Sequence, residues 1–300
     1  MNKRNDFICI GAVHTDYILK LKEDCFKKRT NPVIHEENLG GVAYNIAKKL
    51  SFLNQNIKLY SLNCKNDQKK QIKSQGIIFK SLNKDIFKRY YTSVLDKNGK
   101  MILGLASMNC YDESFKYKNL PNFTNKNIIL DLNFSTKFIK KIIDKNFKKN
   151  YICVCGTSAH KVHKIKKLLK KIDTIILNKQ EGLSLTNKKS IHDSMNYLIN
   201  QNKNLNIIIT NGKNSVSAYL KKITFLSNPP KTIIKNENGA GDALIAVFNY
   251  FFCNSYDNLD SLNRSICAGL LQASGYTNNT QNYLHKIEKL SRSIKFKTIK

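Results

Sequence analysis

Tryptophan is absent from the 300 residues, and arginine is scarce. Arg stands only at positions 4, 29, 89, 264 and 292, so nearly all of the 51 basic residues are lysine. Acidic residues number 21, which leaves a formal net charge of +30. Such a charge suggests nucleic acid as a partner. The shortage of Arg, the usual reader of phosphates and base edges, argues against a dedicated nucleic-acid face. Lys, Asn and Ile are enriched together, as in AT-rich coding drift. The charge would still draw in anionic substrates.

Long apolar runs are missing too. None approaches the roughly 18 residues that a bilayer-spanning helix needs, so no membrane partner is expected. The opening "MNKRNDFICIGAVHTDYI" has an apolar part that is too short for a signal peptide and runs into charge. A soluble, cytoplasmic protein is the expectation. The eight cysteines, at 9, 25, 64, 110, 153, 155, 253 and 267, include no CxxC pair and no Cys/His zinc spacing. Cys153 and Cys155 are spaced for one face of a strand, which predicts buried thiols in a reducing compartment. No GxxxxGK[ST] occurs, which excludes a P-loop enzyme.

What is present is a βα rhythm. "FICIGAV" (7–13) reads as a buried strand that ends in glycine. In "GGVAYNIAKKLSFLN", Val42, Ile46, Leu50 and Leu53 fall on one face of a helix behind a Gly-Gly turn. "IKLYSLN", "NIIL", "TIIL" and "NIIIT" are further apolar strands, each followed by a loop or helix. The stretch 90–107 differs. Two β-prone runs flank Asp96-Lys97-Asn98-Gly99, a hairpin turn, and their alternation predicts a sheet with one exposed face. The fold class expected is α/β: a doubly wound, mainly parallel sheet flanked by helices, with a small β-sheet lid. One domain would span 1–300, with the lid formed by parts of 16–40 and 88–112. Lys-rich pieces such as "KKIIDKNFKKN" and "HKVHKIKKLLKK" read as solvated helix faces.

The chemistry points to "NENGAGDALIAVFNY" (236–250). An apolar helix starts behind two glycines. Free N–H groups and the helix dipole attract anions there, and the missing side chains at Gly239 and Gly241 let a phosphate reach the backbone. Asp242 in the first turn is useful beside a phosphate only if it takes a proton from an attacking hydroxyl. Read alone, the stretch is equally compatible with an aspartate that caps a helix and glycines that turn the chain. The third glycine of a Rossmann turn is missing, and polar "KNEN" stands where a strand should be.

"GAGDAL" resembles the C-terminal signature of the ribokinase-like (PfkB) carbohydrate kinases. "NLGGVAYNIAKKLSFLN" is similar to that family's N-terminal signature, and "IGAVHTD", "LNKQE" and "TNGKNS" match in family order from residue 8 to about 275. The resemblance implies Asp242 as catalytic base, with Gly239, Ala240 and Gly241 as anion hole. It implies Asp16, Gly41 and Asn45 as ligands of the sugar hydroxyls. Asn178 and Glu181 match an N-x-x-E motif that orients Mg²⁺ through water, and Thr210 and Gly212 match the nucleotide-phosphate turn. Asp131 and Asn133 fall where the family has active-site loops. ATP and Mg²⁺ are the implied cofactors, with K⁺ a further candidate. A small sugar or nucleoside is the implied substrate. In the family the lid sheet often mediates homodimers, and a monomer is equally compatible with the sequence.

"GAVHTD", "TNPVIHEENLGGVAYNIAKKL", "MILGLASMNCYDE" and "GTSAHKVHKI" look like the pseudouridine kinase branch. That implies transfer of the ATP γ-phosphoryl group to the 5′-hydroxyl of a C-nucleoside. His14 is a candidate base contact, or a structural turn histidine. Met108 reads as lid packing. The alternatives are a kinase for ribose, another sugar or adenosine, and an inactive relative that binds RNA through its lysines. Departures from the family pattern are Asn238 for the usual Thr, Ser215 for the second glycine of the phosphate turn, and Ser107 for an acidic residue. "DLNFS" also lacks a nearby basic side chain.

Overall fold

The computed structural model describes residues 5–113 and 120–299. The first part of the chain runs β1 (Asp6–Ile10), β2 (His14–Leu21), β3 (Val33–Gly40), α1 (Val42–Phe52), β4 (Asn56–Ser61), α2 (Asn66–Ser74), β5 (Ile77–Ser81), β6 (Tyr90–Leu95) and β7 (Met101–Ser107). The second runs β8 (Asn127–Leu130), α3 (Thr136–Asn146), β9 (Tyr151–Cys155), β10 (Thr174–Asn178), α4 (Lys179–Thr186), α5 (Ile191–Gln201) and β11 (Asn206–Thr210). It closes with β12 (Val216–Leu220), β13 (Ile223–Asn228), α6 (Ala240–Cys253), α7 (Asn258–Ala273), α8 (Thr280–Ser291) and β14 (Lys295–Ile299).

Ten strands form one sheet in the order β14-β13-β12-β11-β10-β9-β8-β1-β4-β5. The seven from β5 to β11 are parallel, and β12 to β14 extend the edge antiparallel. Apolar strands of this kind must be covered on both faces. Alternation along β1 shows how: Phe7 and Cys9 join one core cluster with α1, α6, α7 and α8, while Ile8 and Ile10 join another with α3. Cys153 and Cys155 both face the first cluster, and all eight cysteines are free thiols. This is the doubly wound architecture read from the strand pattern.

β3-β2-β6-β7 form a separate four-stranded sheet. The hairpin turn at 96–99 is where the sequence puts it, held by the Asp96 carboxylate on the amides of Asn98 and Lys100. The expected single exposed face does not hold for β7, which is exposed along its whole length. It is the edge strand of its sheet, and Ile102, Leu103 and Leu105 stay about half exposed on both faces. Residues 161–171 also differ from expectation. They form two short 3₁₀ turns, not a solvated helix, and bury Val162, Ile165, Leu168 and Leu169.

Side-chain caps close α3 (Ser135), α4 (Asn178), α5 (Ser190), α7 (Asp257) and α8 (Asn279). α1 and α6 begin instead at Gly41 and Gly239, N-cap residues that have no side chain to supply a cap. These two glycine-led N-termini lie together, since α1 and α6 pack against each other and Asn45 bonds Asp242.

Candidate active site

The loop that links β1 to β2 and the Gly40-Gly41 pair are built around two carboxylates. Asp131 is buried, and its Oδ2 accepts from the amides of Ala12 (2.8 Å) and Ala43 (3.3 Å), while Oδ1 accepts from Asn133 N (2.9 Å). One side chain thus caps α1 from another strand and ties together the ends of β1 and β8. Gly11 has no room for a side chain because a Cβ would lie 2.2 Å from that carboxyl group. A Cβ on Gly40 would fall 1.9 Å from Asp16 Oδ2. Gly41 has φ +116°, and a Cβ there would meet the Ala12 carbonyl at 2.2 Å. The double glycine lets β2 cross close enough to present Asp16 over α1.

His14 Nε2 lies 2.9 Å from Asp16 Oδ1. The contact lacks hydrogen-bond geometry, and His14 Nδ1 and Asp16 Oδ1 are both buried polar atoms without a hydrogen-bond partner. Buried groups left in this state need a ligand or water.

Asn45, one turn into α1, donates from Nδ2 to Asp242 Oδ2 at 2.7 Å. Asp242 sits in the first turn of α6, behind Gly239 in the left-handed conformation (φ +75°). The amide of Ala240 is turned back to the Glu237 carbonyl at 3.2 Å. Gly241 is exposed, and a Cβ on it would meet nothing within 4 Å, so open space lies over the helix start. Burial pushes the Asp242 carboxyl up to about 7, against the lowering effect of the Asn45 hydrogen bond, and the charges of Asp131, Asp16 and Glu181 push the same way as burial. Asp131, Asp16 and Glu181 therefore each sit within electrostatic reach of Asp242.

Asn178 and Glu181 form a reciprocal capping box at the start of α4: Asn178 N donates to Glu181 Oε2 (2.8 Å) and Glu181 N to Asn178 Oδ1 (3.0 Å). Glu181 is buried, and burial raises its carboxyl to about 7 despite the Asn178 amide. Gly156 leaves the room that this carboxylate occupies. Thr210 pairs with Asn178 across β10 and β11, and Gly212 beyond it has φ +58° with open space above. Among the described residues no group of three or more His, Cys, Asp or Glu forms a metal cage. Mg²⁺ commonly keeps most of its waters and uses one or two carboxylates beside substrate phosphates, so Glu181 fits it as a partner through water.

Across residues 4–276 the sequence matches the pfkB family carbohydrate kinases. The chain belongs to that family. Over 194 residues, 60% of this chain, it is 30% identical to the pseudouridine-metabolizing bifunctional protein of Schizosaccharomyces pombe. That stretch covers 26% of the relative, so the chain spans about a quarter of its length. The nucleoside kinase of Methanocaldococcus jannaschii superposes with a TM-score of 0.74 at 19% identity, covering 96% of this chain and 100% of the other. The ribokinase of Arabidopsis thaliana, solved with ribose and ATP, gives 0.74 at 12%, with 97% and 99% covered. A carbohydrate kinase from Agrobacterium tumefaciens gives 0.77 at 18%, with 98% and 100% covered. At identities this low the superpositions show the ribokinase-like fold alone.

Within this pfkB chain, the departures fall at turns or on the surface. Asn238 is exposed and its amide bonds Asn236 Oδ1 (2.9 Å); Ser107 ends the exposed strand β7. Met108, read from sequence as lid packing, packs instead in the second core cluster with the main sheet. The basic side chain missing near "DLNFS" comes from another loop. Lys161 Nζ donates to Asn133 Oδ1 at 2.6 Å, and Lys164 Nζ reaches Asp112 Oδ1 (2.6 Å) and the Phe134 carbonyl (2.9 Å). Burial lowers the Lys161 ammonium below its usual value, and nearby Asp131 opposes that. These lysines lie in a stretch read as solvated. The apolar spacing of 162–169 was the signal against that reading.

Proposed function

We propose that this family member is an ATP- and Mg²⁺-dependent nucleoside kinase that phosphorylates the 5′-hydroxyl of pseudouridine. The observation that carries the reading is the Asn45–Asp242 pair beside the uncapped start of α6. A carboxylate with a proton affinity near 7 is suited to general-base work at neutral pH. Asp242 removes the proton of the acceptor hydroxyl as that oxygen bonds to the γ-phosphorus. The bond to the β,γ-bridging oxygen breaks and ADP leaves. The backbone of Gly239, Ala240 and Gly241 forms the anion hole for the transferring group, which requires the Ala240 amide to leave the Glu237 carbonyl. Asp16, Gly41 and Asn45 hold the sugar hydroxyls, and the unpartnered atoms of Asp16 and His14 are groups that such an acceptor would satisfy. Lys161 and Asn133 add a polar, cationic wall. Thr210, Gly212 and Asn178 hold nucleotide phosphates, and Glu181 orients the Mg²⁺ waters; K⁺ is a further activator to test.

Parts of 16–40 and 88–112 act as a lid that keeps water from the phosphoryl group. Its exposed Ile102, Leu103 and Leu105 favour a homodimer through the lid. No helix among the described residues is long and apolar enough to cross a membrane, and the free thiols suit a reducing cytoplasm. The choice of pseudouridine over ribose or adenosine rests on the branch motifs and the 30% identical relative. A panel of pseudouridine, uridine, ribose and adenosine with ADP readout tests it. Faster turnover of ribose or adenosine would overturn the substrate. RNA affinity with a steep salt slope and no turnover of any acceptor would favour the inactive RNA-binding reading.

A further inference from the structure

Arg89 is the only buried basic residue among the described residues, in a chain that uses lysine nearly everywhere else. The side chain precedes β6 and points into the junction between the small sheet and the body. Its Nε donates to the Val13 carbonyl, Nη1 to the carbonyls of Asn63 (3.0 Å) and Phe87 (3.1 Å), and Nη2 to that of Leu62 (3.1 Å). None of these acceptors is a carboxylate. The guanidinium carbon lies 5.5 Å from the centre of the Tyr111 ring.

Tyr111 completes the grip. Its hydroxyl donates to the Val13 carbonyl (3.0 Å), accepts from Val13 N (2.8 Å) and meets Ser61 Oγ at 3.0 Å. Thr15 N donates to the Arg89 carbonyl at 3.3 Å, just before the parallel β2–β6 pairing that begins Thr15↔Tyr90. Both polar backbone atoms of Val13 are therefore held by buried side chains, one residue before β2 and three before Asp16.

We propose that Arg89 is a positioning residue that acts through Val13 to set where β2 carries Asp16. A buried cation without a counter-ion is costly unless several strong acceptors replace water. The four carbonyls come from three connections: the entry to β2, the exit of β4 and the approach to β6. Only a rigid fork with five donors joins all of them at once; an ammonium is a compact point charge. Asp16 in turn fits closely against Gly40, so a shift of about an ångström in β2 would take its carboxylate out of register with α1. The inference rests on the reading of Asp16 as an acceptor ligand.

The test compares R89M and R89K with the unaltered protein in three measurements: acceptor KM, ATP KM, and backbone amide exchange over residues 13–20 and 90–95. R89M is expected to raise acceptor KM about tenfold or more, leave ATP KM within about twofold, and speed exchange in those two strands. R89K should fall between R89M and the unaltered protein. A folded R89M with unchanged acceptor KM and unchanged exchange overturns the proposal. If R89M does not fold, R89K decides in the same way. If the unaltered protein phosphorylates no acceptor, the kinase reading fails and exchange alone judges Arg89: acceleration confined to these strands supports it, and none refutes it.

Discussion

Asn45 and Asp242 stand 197 residues apart in sequence and 2.7 Å apart in the fold. The bond joins the first turns of two helices that both begin at glycine, and it partly offsets the burial that makes Asp242 a weak acid.

Asp242→Asn keeps the shape and removes the base. Turnover should fall by about 10²-fold or more with acceptor binding nearly intact, measured by steady-state kinetics and calorimetry. Turnover close to that of the unaltered protein would refute the assignment.

The same variant should be more stable at alkaline pH. The ordinary aspartate value is near 3.8 and the folded value is about 7. Between these limits the folded chain holds a proton that the unfolded chain has released. The contribution of Asp242 to stability is thus complete below about pH 4 and is lost as pH rises through about 7. Melting without ligands should favour D242N at pH 8 and show little difference at pH 4.

Asn45→Ala removes the one hydrogen bond that lowers the Asp242 value. The acid limb of the pH–kcat profile should move to higher pH, so that activity lost at pH 7 partly returns at pH 8.5. An unmoved limb would mean that Asp242 does not govern it.

Two glycines give opposite expectations. Gly241→Ala places a methyl in open space and replaces glycine with the best helix former. Its melting temperature should hold or rise, while turnover falls if phosphate approaches that backbone. Gly41→Ala forces a positive φ and a clash with the Ala12 carbonyl, so it should lower the melting temperature or prevent folding. Full activity in G241A would remove the reason for placing the anion hole there.

Much of this architecture follows from local pattern. The short continuous apolar runs "FICI" and "NIIL", the i, i+4 spacing of "VAYNIAKKL" and the Asp96–Gly99 turn prescribe elements within a few residues, and such short-range pattern is what a single chain displays. The Gly-Gly and Gly-Ala-Gly-Asp stretches likewise mark helix starts where backbone, not side chain, meets the site. What packing alone decided has long range. Asp16, Asp131, Glu181 and Asp242 come from four separate parts of the chain, and the repulsion that the first three exert on Asp242, like its dehydration, exists only once the sheet gathers them. Lys161 reaches Asn133, and Arg89 reaches Val13, across gaps of 28 and 76 residues. Burial is a property of every segment that surrounds a group, so no local stretch could reveal that an aspartate would hold its proton near neutrality or that one arginine would be enclosed by carbonyls.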